Sequence, residues 1–280
     1  ALPATERELC RRSFLHFMTE HAWILDRNTQ AVVKWQAWPH LVQACQDLQA
    51  ERRLIWLKSR HAGASWTAAG YAYWMAEFHP PSGIALLRQG ETESQQFLDM
   101  VKFIREHVPP FLRSPLKGSE DGNKSEMVWP SYSMIHAYPA TKHAGRSATE
   151  TVVIMDEAAF HEFFEENYAA LAPTVDLGKA QLIVSSTSNH ETIDSGFKRL
   201  WRAAPGNNFK PVFWPWTVRP ERDAVWYAER QKEATDPVRF SKEYPASAEE
   251  ALAAPQTIMA FSKDALDAMR LETREAIAWM

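Results

Sequence analysis

The sequence has 280 residues, a formal net charge of −4, 45% hydrophobic residues and 24% charged residues, which is typical of a globular protein with one large domain or one domain plus a small lid. The negative charge argues against a surface covered in nucleic-acid-binding charge, and the nearest candidates for a local basic strip, at 51–53 and 197–202, are more typical of solvated faces than of DNA contacts. No apolar run approaches the roughly 18 residues that a membrane span needs, so we expect no membrane partner.

Apolar strands and helices are predicted to alternate along the chain. Helical spacing predicts helices over 4–19, 35–51, 65–78 and 92–107. Apolar runs predict strands over 53–58, 83–89, 151–155, 180–187 and 210–216, and a hairpin from 126–130 and 133–139. Such alternation indicates an α/β fold, with a parallel sheet that is covered by helices on both faces.

Polarity rises after residue 218, where helical segments dominate. We therefore predict a core domain over 31–218 and a small helical lid from 1–30 and 219–262. The last residues, 263–280, are expected to form a helix or linker.

Residues 54–74 have the layout of a phosphate-binding loop, because an apolar strand runs through small residues into a helix. The usual pattern G-x-x-x-x-G-K-[ST] lacks its first glycine here, and Ala64 replaces its lysine. Gly63 allows close backbone approach, Ser65 can offer its hydroxyl to Mg²⁺, and Lys58 or Arg60 can supply the missing cation. The predicted phosphate-binding residues are Lys58, Ser59, Arg60, His61, Ala62, Gly63, Ala64, Ser65 and Trp66.

Two adjacent carboxylates, Asp156 and Glu157, follow the apolar strand at 151–155. In phosphoryl-transfer enzymes the first such carboxylate holds Mg²⁺, and the second orients or deprotonates the attacking water. Acidic pairs also end strands without any catalytic role, but the upstream loop favours the catalytic interpretation. A parallel sheet would deliver both groups to its carboxyl edge, where ligands bind.

Further candidates lie on either side of this strand. Ser186 and Thr187 end the next apolar strand, where their hydroxyls can sense a γ-phosphate. Arg146 lies in the polar stretch 142–150 and is either an arginine finger or a surface arginine.

Four segments in this order resemble the ATPase region of the large terminase subunits of tailed bacteriophages: "LKSRHAGAS", "GRSATETVVIMDEAAF", "LIVSSTSN" and "EYPASAEEAL". The resemblance runs from about residue 35 to 252 and implies a P-loop NTPase core of the ASCE/RecA-like type that uses ATP and Mg²⁺. Some members of that family carry the loop lysine early, as Lys58 is here. The family also has a glutamine that reads adenine, and Gln36 matches its placement.

The resemblance further implies a motor that uses ATP to thread viral double-stranded DNA into a procapsid in the host cytoplasm. Its implied partners are the portal protein, the small terminase subunit and further copies of itself in a homo-oligomeric ring. Full-length members carry a C-terminal nuclease. Only a short segment follows residue 262, so we expect no nuclease activity from this chain.

Two other functions fit parts of the pattern. A superfamily-2 helicase fragment would explain "DEAA", "SST" and Gln36, but the roughly 90 residues after Thr187 are too few for a second RecA-like domain. A degenerate nucleotide-binding scaffold is favoured by Ala64 and opposed by the intact pair of Asp156 and Glu157. ATP turnover and strand separation distinguish these alternatives.

Overall fold

Seven strands form a central sheet in the computed structural model, which describes residues 2–26, 29–118, 122–142, 144, 150–177, 180–189 and 191–253. Numbered along the chain, they lie side by side in the order β5 (Glu126–Val128), β6 (Met134–Pro139), β4 (Gly83–Arg88), β7 (Val152–Asp156), β8 (Gln181–Ser186), β3 (Arg53–Lys58) and β9 (Lys210–Trp214). Every neighbouring pair is parallel except the β5–β6 hairpin. The predicted hairpin and parallel sheet are confirmed.

Helices cover both faces of this sheet. They are α1 (Leu2–Arg12), α2 (Phe14–His21), α3 (Pro39–Ala50), α4 (Ala64–Phe78), α5 (Glu91–His107), α6 (Phe164–Leu177), α7 (Gly196–Ala203), α8 (Ala224–Glu233), α9 (Pro237–Glu243) and α10 (Ala248–Leu252). Alternate residues of each strand point to opposite faces. In β3, Leu54 and Trp56 join the core on the α1–α5 side, whereas Ile55 and Leu57 join the core on the other side.

The N-terminal helices pack against this helical layer. The ring centroids of Phe14 and Tyr71 lie 5.1 Å apart, and the indole Nε1 of Trp74 donates a hydrogen bond of 2.6 Å to the carbonyl of Cys10. The single helix predicted over 4–19 is wrong, because Ser13 has extended backbone and divides it. The Ser13 hydroxyl accepts a hydrogen bond from the amide of His16 and so caps α2.

A short antiparallel pair, β1 (Trp23–Asp26) and β2 (Ala31–Lys34), follows α2 and was not predicted. After β9 the described secondary structure is helical, as predicted. The proposed division into a core at 31–218 and a lid stays a prediction, and residues 254–280 lie outside the described part of the chain. Among the helices that the structure describes, none combines the length and apolar character of a membrane span.

Candidate active site

The carboxyl ends of four parallel strands meet at one edge of the sheet. Lys58 ends β3, Arg88 ends β4, Asp156 ends β7 and Ser186 ends β8. Strand β8 lies between the loop strand β3 and the carboxylate strand β7. The sequence predicted this convergence for three of the four residues, and Arg88 is an addition from the structure.

Asp156 is a fully buried carboxylate, and one of its oxygens accepts hydrogen bonds from two residues. Its Oδ2 accepts 2.8 Å from the hydroxyl of Ser65 and 3.0 Å from Nε of Arg88, which also donates from Nη2. Burial raises the pKa of this carboxyl, but the charges of Arg88 and Lys58 outweigh burial and hold the pKa below its usual value. Asp156 is therefore ionised at neutral pH.

Glu157 lies where the buried strand opens to the surface. Its Oε1 accepts a hydrogen bond of 2.9 Å from Nζ of Lys58, whose side chain is only 6% exposed, against 35% for that of Glu157. The residue has a positive φ of 53°, an uncommon conformation for a residue other than glycine. Such backbone outliers concentrate at functional sites, and this one turns the glutamate toward the loop lysine.

The loop between β3 and α4 has the geometry of an anion-binding turn. Gly63 has a φ of 87° directly before the first residue of α4, and a Cβ there would lie 2.9 Å from Cδ1 of Leu41. The amide of Thr67 bonds to the carbonyl of Gly63 at 3.2 Å. The amides of Ala64, Ser65 and Trp66 belong to the first helical turn, where amides have no intrahelical acceptor and favour bound anions.

Distant segments hold the backbone of this loop. Arg60 pairs with Glu243 of α9 twice, through its amide at 2.8 Å to the carbonyl and through its guanidinium at 2.7 Å to the carboxylate. A ring nitrogen of His40 lies 2.8 Å from the carbonyl of Ala62. The amide of Ser59 bonds to the last residue of β9 at 2.8 Å.

A cavity of about 390 Å³ opens beside the loop, a volume that suits a small organic ligand. Besides the loop, its walls include residues of β1 and β2, together with Gln36, Trp38 and Arg219. The guanidinium of Arg219 lies 4.7 Å from the ring centroid of Trp38. Gln36 is exposed and donates a hydrogen bond of 3.1 Å to the carbonyl of Lys34.

The other predicted residues have varied positions. Ser186 supports the turn after the carboxylates, because its hydroxyl accepts a hydrogen bond of 3.1 Å from the amide of Ala159. Thr187 lines a second cavity of about 290 Å³, together with Glu157 and Arg60. Arg146 lies outside the described residues, so its role stays a prediction.

Two arginines that the sequence analysis did not single out belong to this site. Arg88 could have been assigned to this edge, although not to Asp156, because it ends an apolar strand and the carboxyl ends of parallel strands share one edge. Arg219 donates a hydrogen bond of 3.2 Å to the carbonyl of His61. No local pattern marks it, because it acts on a loop 158 residues away.

Comparison with known families is decisive at this point. Residues 55–265 match the family model for the large terminase subunit of T4-like viruses, N-terminal part. The chain belongs to the large terminase subunit family. The matched segment holds the loop, both carboxylates and strand β8, which lies between the loop strand and the carboxylate strand. The resemblance noted in the sequence is therefore confirmed for the family.

Solved structures similar to this large terminase chain share its fold. The large terminase ATPase domain of Thermus phage P74-26 has a TM-score of 0.57 and 19% identity, over 74% of this chain and 92% of the other. The large terminase of bacteriophage HK97 has a TM-score of 0.56 and 13% identity, over 93% of this chain and 52% of the other. The large terminase of the thermophilic bacteriophage D6E, in complex with ATP-gamma-S, has a TM-score of 0.54 and 9% identity, over 71% of this chain and 48% of the other.

Proposed function

We propose that this large terminase chain binds ATP with its phosphates on loop 58–66 and hydrolyses it to drive viral double-stranded DNA into a procapsid. The observation that carries the proposal is the convergence of Lys58, Ser65, Asp156 and Glu157 at one sheet edge, with hydrogen bonds of 2.8 and 2.9 Å. An anion-binding turn beside two ionisable carboxylates is the arrangement that phosphoryl transfer needs. Membership of the family supports the same conclusion.

The residues present fit a Mg²⁺ ion. Asp156 Oδ1 is buried and has no hydrogen-bond partner among the described residues, although its neighbour Oδ2 accepts from both Ser65 and Arg88. A buried anionic oxygen without a donor is costly unless a cation or water satisfies it. Asp156 and the hydroxyl of Ser65 would hold the ion, directly or through water, since Mg²⁺ prefers oxygen ligands. When bound, the ion would neutralise charge on the phosphate oxygens.

Lys58 and Glu157 act as a pair in this proposal. The ammonium of Lys58 donates a hydrogen bond to Glu157. A phosphate on the loop offers Lys58 a stronger anionic acceptor, and the carboxylate of Glu157 is then released to accept a proton from the attacking water. Lys58 thereby replaces the lysine that Ala64 cannot supply. Ser186 holds the turn after Glu157. Thr187 and Glu157 both line the second cavity.

The cavity beside the loop is the proposed adenine pocket. Gln36 lies in its wall and carries the amide that would read the base edge. The stacked pair of Trp38 and Arg219 supplies a flat surface suited to a purine ring. The D6E relatives solved with ADP and ATP-gamma-S support nucleotide binding in this fold.

The remaining partners follow from the family. We propose that the chain works as a homo-oligomeric ring on a portal protein in the host cytoplasm, with a small terminase subunit as a further partner. Its family membership supports these assignments.

ATP turnover of a Glu157→Gln variant tests the proposed hydrolysis. The variant should bind Mg²⁺ and ATP as the wild type does, because the amide keeps the size of the side chain. Its rate of phosphate release should fall at least about a hundredfold, the usual scale of losing a general base. The measurements are fluorescent-nucleotide titration and phosphate release, with and without double-stranded DNA.

Glu106→Gln is the matched control, since Glu106 is an exposed glutamate on α5 and should leave both readings unchanged. Equal turnover in Glu157→Gln and wild type would remove Glu157 from the mechanism. Nucleotide binding without turnover in the wild type, also with DNA present, would favour the scaffold. Separation of duplex strands coupled to ATP turnover would favour the helicase.

A further inference from the structure

Four side chains with metal-binding donor atoms converge on the N-terminal helices, away from the carboxyl edge of the sheet. Glu6, Cys10, His16 and His21 each offer one donor atom, and these atoms all lie within 4.8 Å of one another. Nε2 of His16 lies 2.7 Å and Nε2 of His21 lies 2.8 Å from the same oxygen, Glu6 Oε1. The Cys10 sulfur lies 3.8 Å from that oxygen.

The local fold explains why these residues meet. Glu6 and Cys10 are four residues apart in α1 and therefore share one face of the helix. Ser13 ends α1 and caps α2, and this turn brings His16 and His21 of α2 over that face. Cys10 is fully buried, whereas the side chains of Glu6 and His16 are 27% and 31% exposed. The cluster thus has a buried end and an end through which an ion can enter.

The donor set selects a particular kind of ion. Sulfur and two imidazole nitrogens are poor ligands for Mg²⁺ and Ca²⁺, which prefer oxygen, but together with a carboxylate they suit Zn²⁺. Two anionic ligands, Cys10 and Glu6, would balance the charge of the ion. Zinc bonds of about 2.0–2.3 Å place neighbouring donor atoms of a tetrahedral site roughly 3.3–3.6 Å apart. The present spacings, from 2.7 Å to at most 4.8 Å, lie on either side of that range, so pairs of donor atoms would move relative to one another by up to roughly 1.5 Å to complete the shell.

We propose that Glu6, Cys10, His16 and His21 form a structural site for one Zn²⁺ ion. With four protein ligands the site is closed, and the Cys10 thiol gives up its proton on binding. The ion would join α1 to α2. It would also fix the start of β1, which follows His21 closely and lines the cavity beside loop 58–66. This site is independent of the proposed ATP hydrolysis.

Cobalt substitution of the full chain, freed of any polyhistidine tag and of metal, tests the proposal. One equivalent of Co²⁺ should give a thiolate-to-cobalt charge-transfer absorption, and Zn²⁺ should displace the Co²⁺ and abolish the band. The chain has two cysteines, Cys10 and Cys45, and both are buried. Cys10→Ala should therefore remove the band, whereas the matched control Cys45→Ala should keep it.

Zinc affinity, measured by competition with a chromophoric chelator, provides a second reading. His21→Ala should weaken binding at least about a hundredfold, because loss of a supporting residue alone costs 10–100-fold. Glu8→Gln, on the exposed side of the same helix, should leave affinity unchanged. Zn²⁺ should also raise the Tm of the wild type but not that of His21→Ala.

The wild-type spectrum alone can overturn the proposal, even if a variant does not fold. A Co²⁺ titration without a thiolate band would show that Cys10 is not a ligand. Equal zinc affinity of wild type and His21→Ala would likewise reduce the cluster to hydrogen bonds between Glu6 and the two histidines.

Discussion

Removal of Arg88 should strongly destabilise the fold, because this residue neutralises a carboxylate that has no access to solvent. The side chain of Asp156 is 0% exposed and that of Arg88 is 12% exposed. Breaking a buried ion pair by deleting one partner costs about 3–5 kcal/mol, since the other charge stays buried. Arg88→Ala should therefore lower the free energy of unfolding by about 3–5 kcal/mol and Tm by on the order of 10 °C.

Urea denaturation in EDTA, without nucleotide, measures this effect for Arg88→Ala, Asp156→Asn and the double variant. Asp156→Asn removes the buried negative charge, so Arg88→Ala should cost much less in that background. The expected coupling is at least about 2 kcal/mol. Arg199→Ala is the matched control, because Arg199 likewise forms ion pairs with carboxylates, those of Glu165 and Asp194, but its side chain is 53% exposed. It should lose far less stability.

The pH dependence gives an independent check on the same pair. In the wild type the folded pKa of Asp156 is lowered, so its contribution to stability is present above the unfolded pKa of about 3.9 and is lost as pH falls through the folded value. Without Arg88 the largest influence that lowers the pKa is gone, so the folded pKa of Asp156 should be higher than in the wild type, and falling pH should cost the variant less stability than the wild type. The stability difference should therefore shrink from neutral pH toward about pH 4. A loss below about 1 kcal/mol, or additive single effects, would refute the buried pair.

Three further predictions concern catalysis. Lys58→Ala should abolish phosphate release with Mg²⁺ and ATP. If this variant keeps the turnover of the wild type, the phosphate-contacting role belongs to Arg60 or to no residue. Asp156→Asn should weaken ATP binding only when Mg²⁺ is present, and a fluorescent-nucleotide titration with and without the ion checks this. If Arg146 acts on a ring neighbour, Arg146→Ala mixed with Glu157→Gln should regain turnover, because one interface would combine an intact arginine with an intact glutamate. An inactive mixture would mean that Arg146 acts within its own subunit. Full activity of Arg146→Ala alone would mean that Arg146 is only a surface residue.

The sequence predicted most of the sheet because its strands are continuous apolar runs with clear ends. Strand β3 coincides with the predicted 53–58, and β4 differs by one residue at its end. The strands at 23–26 and 31–34 were missed, because each has only four residues, which are too few for a clear periodic signal. The helix break at Ser13 was missed because apolar spacing continues across it, and a serine followed by a helix is a capping signal only when the break is known.

For the candidate site too, the sequence indicated the local patterns but not the contacts between distant segments. The loop at 58–66 and the two adjacent carboxylates stood out in the sequence because each is a pattern within a few residues. The Arg88–Asp156 pair depends on β4 and β7 being neighbours, and the sequence alone does not specify strand order. The contact of Arg60 with Glu243 joins residues 183 positions apart and carries no local signature.

If loop 58–66 binds phosphate as proposed, its contacts with α9 would link nucleotide binding to movement of the C-terminal helices. A phosphate that attracts the guanidinium of Arg60 would weaken the contact between Arg60 and Glu243. A displacement of α9 would in turn move the backbone of Arg60. Arg219 and Arg222 extend the linkage, since they bond to the carbonyls of His61 and Arg60. We therefore expect nucleotide bound at the site to change the orientation of the C-terminal helices. Conversely, a force applied to these helices should change the affinity for nucleotide.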